Sequence, residues 1–281
     1  MPRPSRRPVG CHVFVAGGLR RALHRACDRG AEVLQIFPSN PRGWAVPVPD
    51  VAEEAWFRAS IEARSMPLFL HAPYLVNIAS RDDSVLDRSR ASLEFALARG
   101  ARLGARGVVV HAGSATGDDR ASALARATST ILSLLDRVEG CDLVVELTAG
   151  SGDLLASTVE QVAEVIDACD RHPRVRACVD TCHLYAAGVD ISRPTARRRL
   201  RDELRALDPS RVAVVHVNDS RDPPGSRRDR HARVGQGTIG LEPLRAVLRI
   251  PELRHAPLVL ETPGTAIEQR DDLVLVRELA A

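Results

Sequence analysis

A chain of 281 residues with 44% hydrophobic residues can build one large domain with a substantial core, and the 3% aromatic content leaves that core to Val, Leu, Ile and Ala. The formal net charge of +3 is small, and because all 39 basic residues are Arg it gives no nucleic-acid signal by itself. The basic start Met1–Pro8 lacks the uninterrupted apolar run of a secretory signal, no segment approaches bilayer length, and six cysteines without a CxxC pair read as reduced thiols, which together point to a cytosolic protein.

In chain order, residues 1–8 read as the loose start of a single domain spanning 1–281. His12–Ala16 is the first strand-like run, followed by a helix at Leu19–Asp28, a strand at Glu32–Phe37 and a helix at Val51–Arg64. Strands Pro67–His71, Gly107–His111, Asp142–Glu146 and Arg176–Asp180 alternate with helices Val85–Leu103, Ala121–Val138 and Val159–Cys169. Helix Thr195–Leu207, strand Val212–His216, helix Leu241–Leu248, strand Pro257–Glu261 and helix Asp271–Leu279 complete the set. Eight strands alternating with eight helices, the strands too uniformly apolar to face water, predict a parallel (β/α)8 TIM barrel. No linker or shift of composition divides it.

Six of those strands stop on a His, Glu or Asp: His71, His111, Glu146, Asp180, His216 and Glu261. Packing gives a core strand no reason to end this way, because burying an imidazole or carboxylate without a partner costs several kcal/mol. In a (β/α)8 barrel the C-terminal strand ends converge on one face. His183 follows Asp180 by three residues, and Asp229 and His231 lie in the long loop after His216, which makes nine groups able to bind metal. That is too many for one ion; with one carboxylate bridging, three ions are the natural count. Imidazole and carboxylate ligation without thiolate suits catalytic zinc or manganese. Roughly six positive charges against four carboxylates leave a positive pocket suited to a phosphodiester. His12, His24, His172 and His255 lack such a setting, and the last three are assigned to structure or surface. Arg193, Arg197, Arg198, Arg199 and Arg201 read as a solvated helix face, whereas Arg221, Arg227, Arg228, Arg230 and Arg233 read as phosphate-binding.

The motifs Gly10-Cys11-His12-Val13, Ala16-Gly17-Gly18, Gln35-Ile36-Phe37, Asn40-Pro41-Arg42-Gly43-Trp44, His71-Ala72-Pro73-Tyr74-Leu75-Val76-Asn77, Asp180-Thr181-Cys182-His183, His216-Val217-Asn218-Asp219-Ser220, Asp229-Arg230-His231 and Leu260-Glu261-Thr262-Pro263 together resemble endonuclease IV. This is the deoxyribonuclease IV type of apurinic/apyrimidinic endonuclease, and the resemblance runs from about Gly10 to Pro263. It implies a barrel of xylose-isomerase-like architecture with three Zn2+ per chain, Mn2+ being an alternative at one or more sites. His71, His111 and Glu146 would hold one ion; Glu146, bridging, with Asp180, His216 and Glu261 a second; His183, Asp229 and His231 the third. Glu146 and Glu261 would be the catalytic carboxylates, and no side-chain nucleophile is required. The implied reaction cuts duplex DNA 5′ to an abasic site, leaving a 3′-hydroxyl and a 5′-deoxyribose phosphate, and also trims blocked 3′ ends. Arg42 and Tyr74 match positions that enter DNA near the lesion, where wedging holds bent, flipped DNA. A monomer without a membrane partner, acting at the nucleoid, completes the expectation.

Four positions depart from the family's usual pattern: Phe14 in place of Ser, Ala112 in place of Pro, Leu147 in place of a polar residue and Gln236 in place of Glu. Each is placed to alter hydrogen bonds that orient ligands. Two other readings compete. A sugar isomerase or epimerase of the same barrel type would use Glu146, Asp180, His216 and Glu261 with one or two ions, and leaves the other five groups unexplained. A non-catalytic lesion-binding protein would keep the DNA contacts alone.

Overall fold

The computed structural model describes residues 7–281, and of the expected loose start residues 1–6 lie outside the described range. In chain order it contains β1 (Val9–Val13), α1 (Leu19–Asp28), β2 (Leu34–Ile36), α2 (Val51–Glu62), β3 (Leu68–His71), α3 (Asp83–Leu103), β4 (Gly107–His111), α4 (Arg120–Arg137) and β5 (Asp142–Glu146). It continues through α5 (Val159–Ala168), β6 (Val175–Asp180), α6 (Thr181–Ala186), α7 (Pro194–Leu207), β7 (Val212–His216), β8 (Asp219–Ser220), β9 (His231–Ala232), α8 (Leu241–Leu248), β10 (Leu258–Leu260) and α9 (Ala266–Ala280). Eight parallel strands close into a barrel in the order β1-β10-β7-β6-β5-β4-β3-β2, and β8 and β9 form a separate antiparallel ribbon.

Strand alternation sorts the apolar residues into two groups. One set packs outward under the helices; the other, Val33, Phe69, Val109, Val144, Cys178, Val214 and Val259, forms its own cluster inside the barrel. Two residues beyond each member of this inner cluster stand Gln35, His71, His111, Glu146, Asp180, His216 and Glu261. The barrel thus has an apolar plug with a polar layer directly above it.

The first strand begins three residues before the expected His12–Ala16. Gly10 lies within β1, and a Cβ there would sit 1.7 Å from the Val33 carbonyl oxygen, so this close approach requires glycine. Helix α9 starts five residues earlier than expected, where Thr265 and Glu268 form a reciprocal capping box. The short α6 and the β8–β9 ribbon were not expected; α6 starts because the Asp180 side chain caps it at His183 N. Arg7 donates to Leu248 O at 3.0 Å, and Leu258 N donates to Pro8 O at 2.9 Å, so these two residues are tied to the barrel. All six cysteines are free thiols, and Cys27 alone is exposed. No helix among the described residues is long and apolar enough to cross a membrane.

Candidate metal centre

All nine groups singled out by residue type meet at the C-terminal mouth of the barrel. His71, His111, Glu146, Asp180 and His216 are the last residues of their strands, and Glu261 immediately follows β10. His183 lies on α6, His231 opens β9, and Asp229 precedes it in the connecting loop. Their ligand atoms fall into groups in which every atom lies within 4.8 Å of the others: His71, His111 and Glu146; Glu146, Asp180, His216 and Glu261; His183, Asp229 and His231. Glu146 belongs to two of them. Its Oε2 lies 3.0 Å from His71 Nε2 and 3.2 Å from His111 Nε2, while its Oε1 lies 2.8 Å from His216 Nδ1.

Hydrogen bonding around the rings fits cations at these places. A backbone carbonyl can only accept, so His71 donates from Nδ1 to Ala72 O at 2.7 Å and His183 from Nδ1 to Leu147 O at 2.8 Å, which turns each Nε2 toward the cavity. The Nε2 atoms of His183 and His231 each lie 3.1 Å from Asp229 Oδ1, yet both are buried without a properly directed hydrogen bond. Two buried ring nitrogens and a carboxylate oxygen drawn together without a hydrogen bond between them suit a three-ligand cation site.

Sequence reasoning missed the residues that hold the ligands. Gln35 is fully buried; its Nε2 donates to Glu261 Oε1 at 2.6 Å, which leaves its Oε1 to accept from His216 Nε2 at 3.0 Å. His12 Nδ1 lies 3.1 Å from Glu261 Oε1. Asn218 donates to Asp180 Oδ2 at 2.6 Å and accepts from Glu261 N at 2.9 Å. The signal was available in the two-residue strand period, which puts Gln35 two places beyond Val33 on the inner face.

Charge is balanced within the cluster. Burial disfavours the ionised Glu146, but His216, His111 and His183 outweigh it and hold its pKa well below the usual carboxylate range. Burial likewise opposes protonation of His231, yet the Asp229 carboxylate 3.1 Å away and the charge of Asp180 raise its pKa to about 9. His183 and His216 are raised well above the ordinary value by neighbouring acidic groups against the same burial. In the metal-free protein the His231 ring contributes stability that is complete below an unfolded histidine pKa of about 6.5 and is lost as pH rises through about 9. Metal and proton compete for the same nitrogens, so loading reverses the trend. The melting temperature of chelator-stripped protein is therefore expected to fall between pH 6.5 and 9.5, and that of zinc-loaded protein is expected not to. A rise in the stripped sample over that interval would contradict the assigned protonation.

The cluster floors a cleft of about 470 Å³ whose rim includes Phe14, Tyr74, Arg221 and Gln269. Tyr74 is 58% exposed, packed edge-on against Phe37 with centroids 5.3 Å apart. Arg42 is exposed on the β2–α2 loop, which is pinned to the Tyr74 loop by Tyr74 N donating to Pro41 O at 3.1 Å. The expected phosphate-binding arginines are partly committed elsewhere: Arg230 and Arg228 pair with Asp222, and Arg233 pairs with Glu268 and Asp272. Arg221 alone of the five remains in the cleft with only a backbone carbonyl, His231 O, as its partner. The four departures leave the ligand geometry in place: Leu147 serves His183 through its backbone oxygen, Ala112 is buried, and Phe14 and Gln236 are exposed.

A closed parallel barrel with imidazoles and carboxylates gathered at its mouth defines a metal-site TIM barrel, and a family model described as xylose isomerase-like TIM barrel matches residues 23–279. A protein of Streptomyces avermitilis named probable endonuclease 4 is 43% identical over 269 residues, covering 94% of this chain and 87% of that protein. The crystal structure of endonuclease IV from Thermus thermophilus superposes with a TM-score of 0.85 at 35% identity, covering 97% of this chain and 98% of that one. The chain belongs to the endonuclease IV family. A D-psicose 3-epimerase shares the fold, with a TM-score of 0.71 at 16% identity over 97% of this chain and 99% of that one.

Proposed function

We propose that this protein is a metal-dependent apurinic/apyrimidinic endonuclease, hydrolysing the phosphodiester 5′ to an abasic site in duplex DNA and also removing blocks from 3′ ends. The observation that carries the reading is the division of nine groups from one chain into three clusters, two of which share Glu146. His71 and His111 with Glu146, Asp180 with His216 and Glu261, and His183 with Asp229 and His231 would each hold one Zn2+, with Mn2+ as an alternative. Bound ions supply a water of lowered pKa, polarise the phosphoryl group and stabilise the leaving alkoxide. The chain's own part is to fix the ligands: Gln35 sets the facing of Glu261 and His216, and Asn218 sets that of Asp180. Arg42 and Tyr74 stand on the rim to hold the DNA flanking an extruded abasic sugar, which has no base to unpair. Because one chain completes the site, it acts as a monomer, and a DNA substrate puts its work in the cytoplasm at the nucleoid.

The D-psicose 3-epimerase likeness raises the sugar-epimerase reading, for which the four groups around Glu146 suffice. It gives no role to His183, Asp229 and His231, although the Nε2 atoms of the two histidines are buried without a hydrogen-bond partner. Zinc-replete protein is expected to cut a duplex oligonucleotide carrying one tetrahydrofuran abasic analogue on the 5′ side, leaving a 3′-hydroxyl. Binding without cutting would favour a lesion-binding module, and ketose interconversion with one ion per chain would favour the epimerase.

A further inference from the structure

Among the described residues, Phe14 is the one Phe, Tyr or Trp ring left open to water on the cleft rim without a ring partner. Of the aromatic side chains among the described residues, Phe14 and Tyr74 are the exposed ones, at 73% and 58%, and both line the metal cleft. Tyr74 rests on Phe37 and His71, whereas no aromatic ring of the described residues packs on Phe14. Single exposed apolar residues are ordinary on a protein surface, but this one is held in place. It follows β1 directly, two residues past His12, so strand alternation puts its side chain over the barrel mouth. Its backbone is clamped by Arg25 Nη1, which donates to Phe14 O at 2.9 Å and to Ala16 O at 2.8 Å. A rigid backbone presenting a bare flat apolar face beside a phosphate-seeking site calls for a flat apolar partner joined to a phosphate.

We propose that Phe14 stacks on the nucleobase flanking the abasic sugar, taking the place in the stack that the missing base has vacated. A lesion without a base leaves its neighbour with an uncovered π face, and every base has such a face, so the contact recognises the gap without reading sequence. This role rests on the reading of the chain as an enzyme acting on abasic duplex DNA.

Phe14 is solvent-exposed, so Phe14→Ser is expected to keep its zinc content and melting temperature. Its KM for a duplex with one tetrahydrofuran residue is expected to rise about tenfold, in keeping with the loss of one base–aromatic stack. Phe14→Trp should restore the parent KM. On a duplex whose flanking nucleotides also lack bases, parent and Phe14→Ser should have the same KM. An unchanged KM on the first duplex, or the same tenfold rise on both, would overturn the stacking role. If the parent cuts neither duplex, it is the endonuclease reading that fails.

Discussion

Replacing Glu261 by Gln is expected to lower the rate of abasic-site cleavage by about a thousandfold or more while leaving the barrel folded. Glu261 sits just beyond β10, with Oε2 at 3.2 Å from His216 Nδ1 and Oε1 held by Gln35 and His12. Burial opposes its charge, but His216 and His12 outweigh burial and keep its pKa well below the usual range, so it is a carboxylate throughout the working pH range. A neutral amide of the same shape keeps the packing and loses a charged ligand. Metal sites contribute several kcal/mol of transition-state stabilisation, and each 1.36 kcal/mol is about tenfold in rate. The strand itself is unaffected, because Glu261 N still donates to Asn218 Oδ1 at 2.9 Å. Steady-state cleavage with circular dichroism on the same sample checks this, and near-parental turnover in a folded variant would remove Glu261 from the site.

The second large effect is on stability. Asp219 is fully buried and accepts from Ser220 N at 2.8 Å, Ile239 N at 2.9 Å, Gly235 N at 3.0 Å and Gly240 N at 3.2 Å. One carboxylate thereby holds the segment 235–240 against β8, whose partner β9 begins with His231. Gly237 belongs to the same arrangement, since a Cβ there would lie 2.4 Å from Asp219 Oδ1. Asp219→Ala leaves these donors buried without a partner, an imbalance that costs roughly 3–5 kcal/mol. A melting temperature lower by roughly 10 °C is expected, with preferential loss of the cation held by His183, Asp229 and His231. Thermal unfolding followed with metal content tests it; a variant within a degree or two of the parent would show that the loop holds itself.

The barrel and the nine groups were legible in the sequence for a physical reason. Uniformly apolar runs such as Gly107–His111 and Asp142–Glu146 have one interpretation in a parallel sheet, and their polar last residues have no packing explanation. What was not legible lies where the signal is not local. Gln35 looks like an ordinary polar residue inside a strand until the neighbouring strands bring His216 and Glu261 against it. His12 was set apart because its strand was placed three residues too late: the strand begins at Val9 and takes in Gly10, whose close approach to Val33 only the fold reveals. The partners of the Arg cluster around Asp229 were hidden for the converse reason: Asp222 pairs with Arg230 across a turn of the loop, and Glu268 and Asp272 reach Arg233 from the last helix, which only the fold reveals. The ribbon of β8 and β9 is too short for any periodicity to mark it, although it carries His231.

The most direct test is anomalous diffraction at the zinc edge from crystals of the zinc-loaded protein. Three peaks are expected at the barrel mouth: one among His71, His111 and Glu146, one among Glu146, Asp180, His216 and Glu261, and one among His183, Asp229 and His231. A single peak, with His183, Asp229 and His231 bare in fully loaded crystals, would contradict the account.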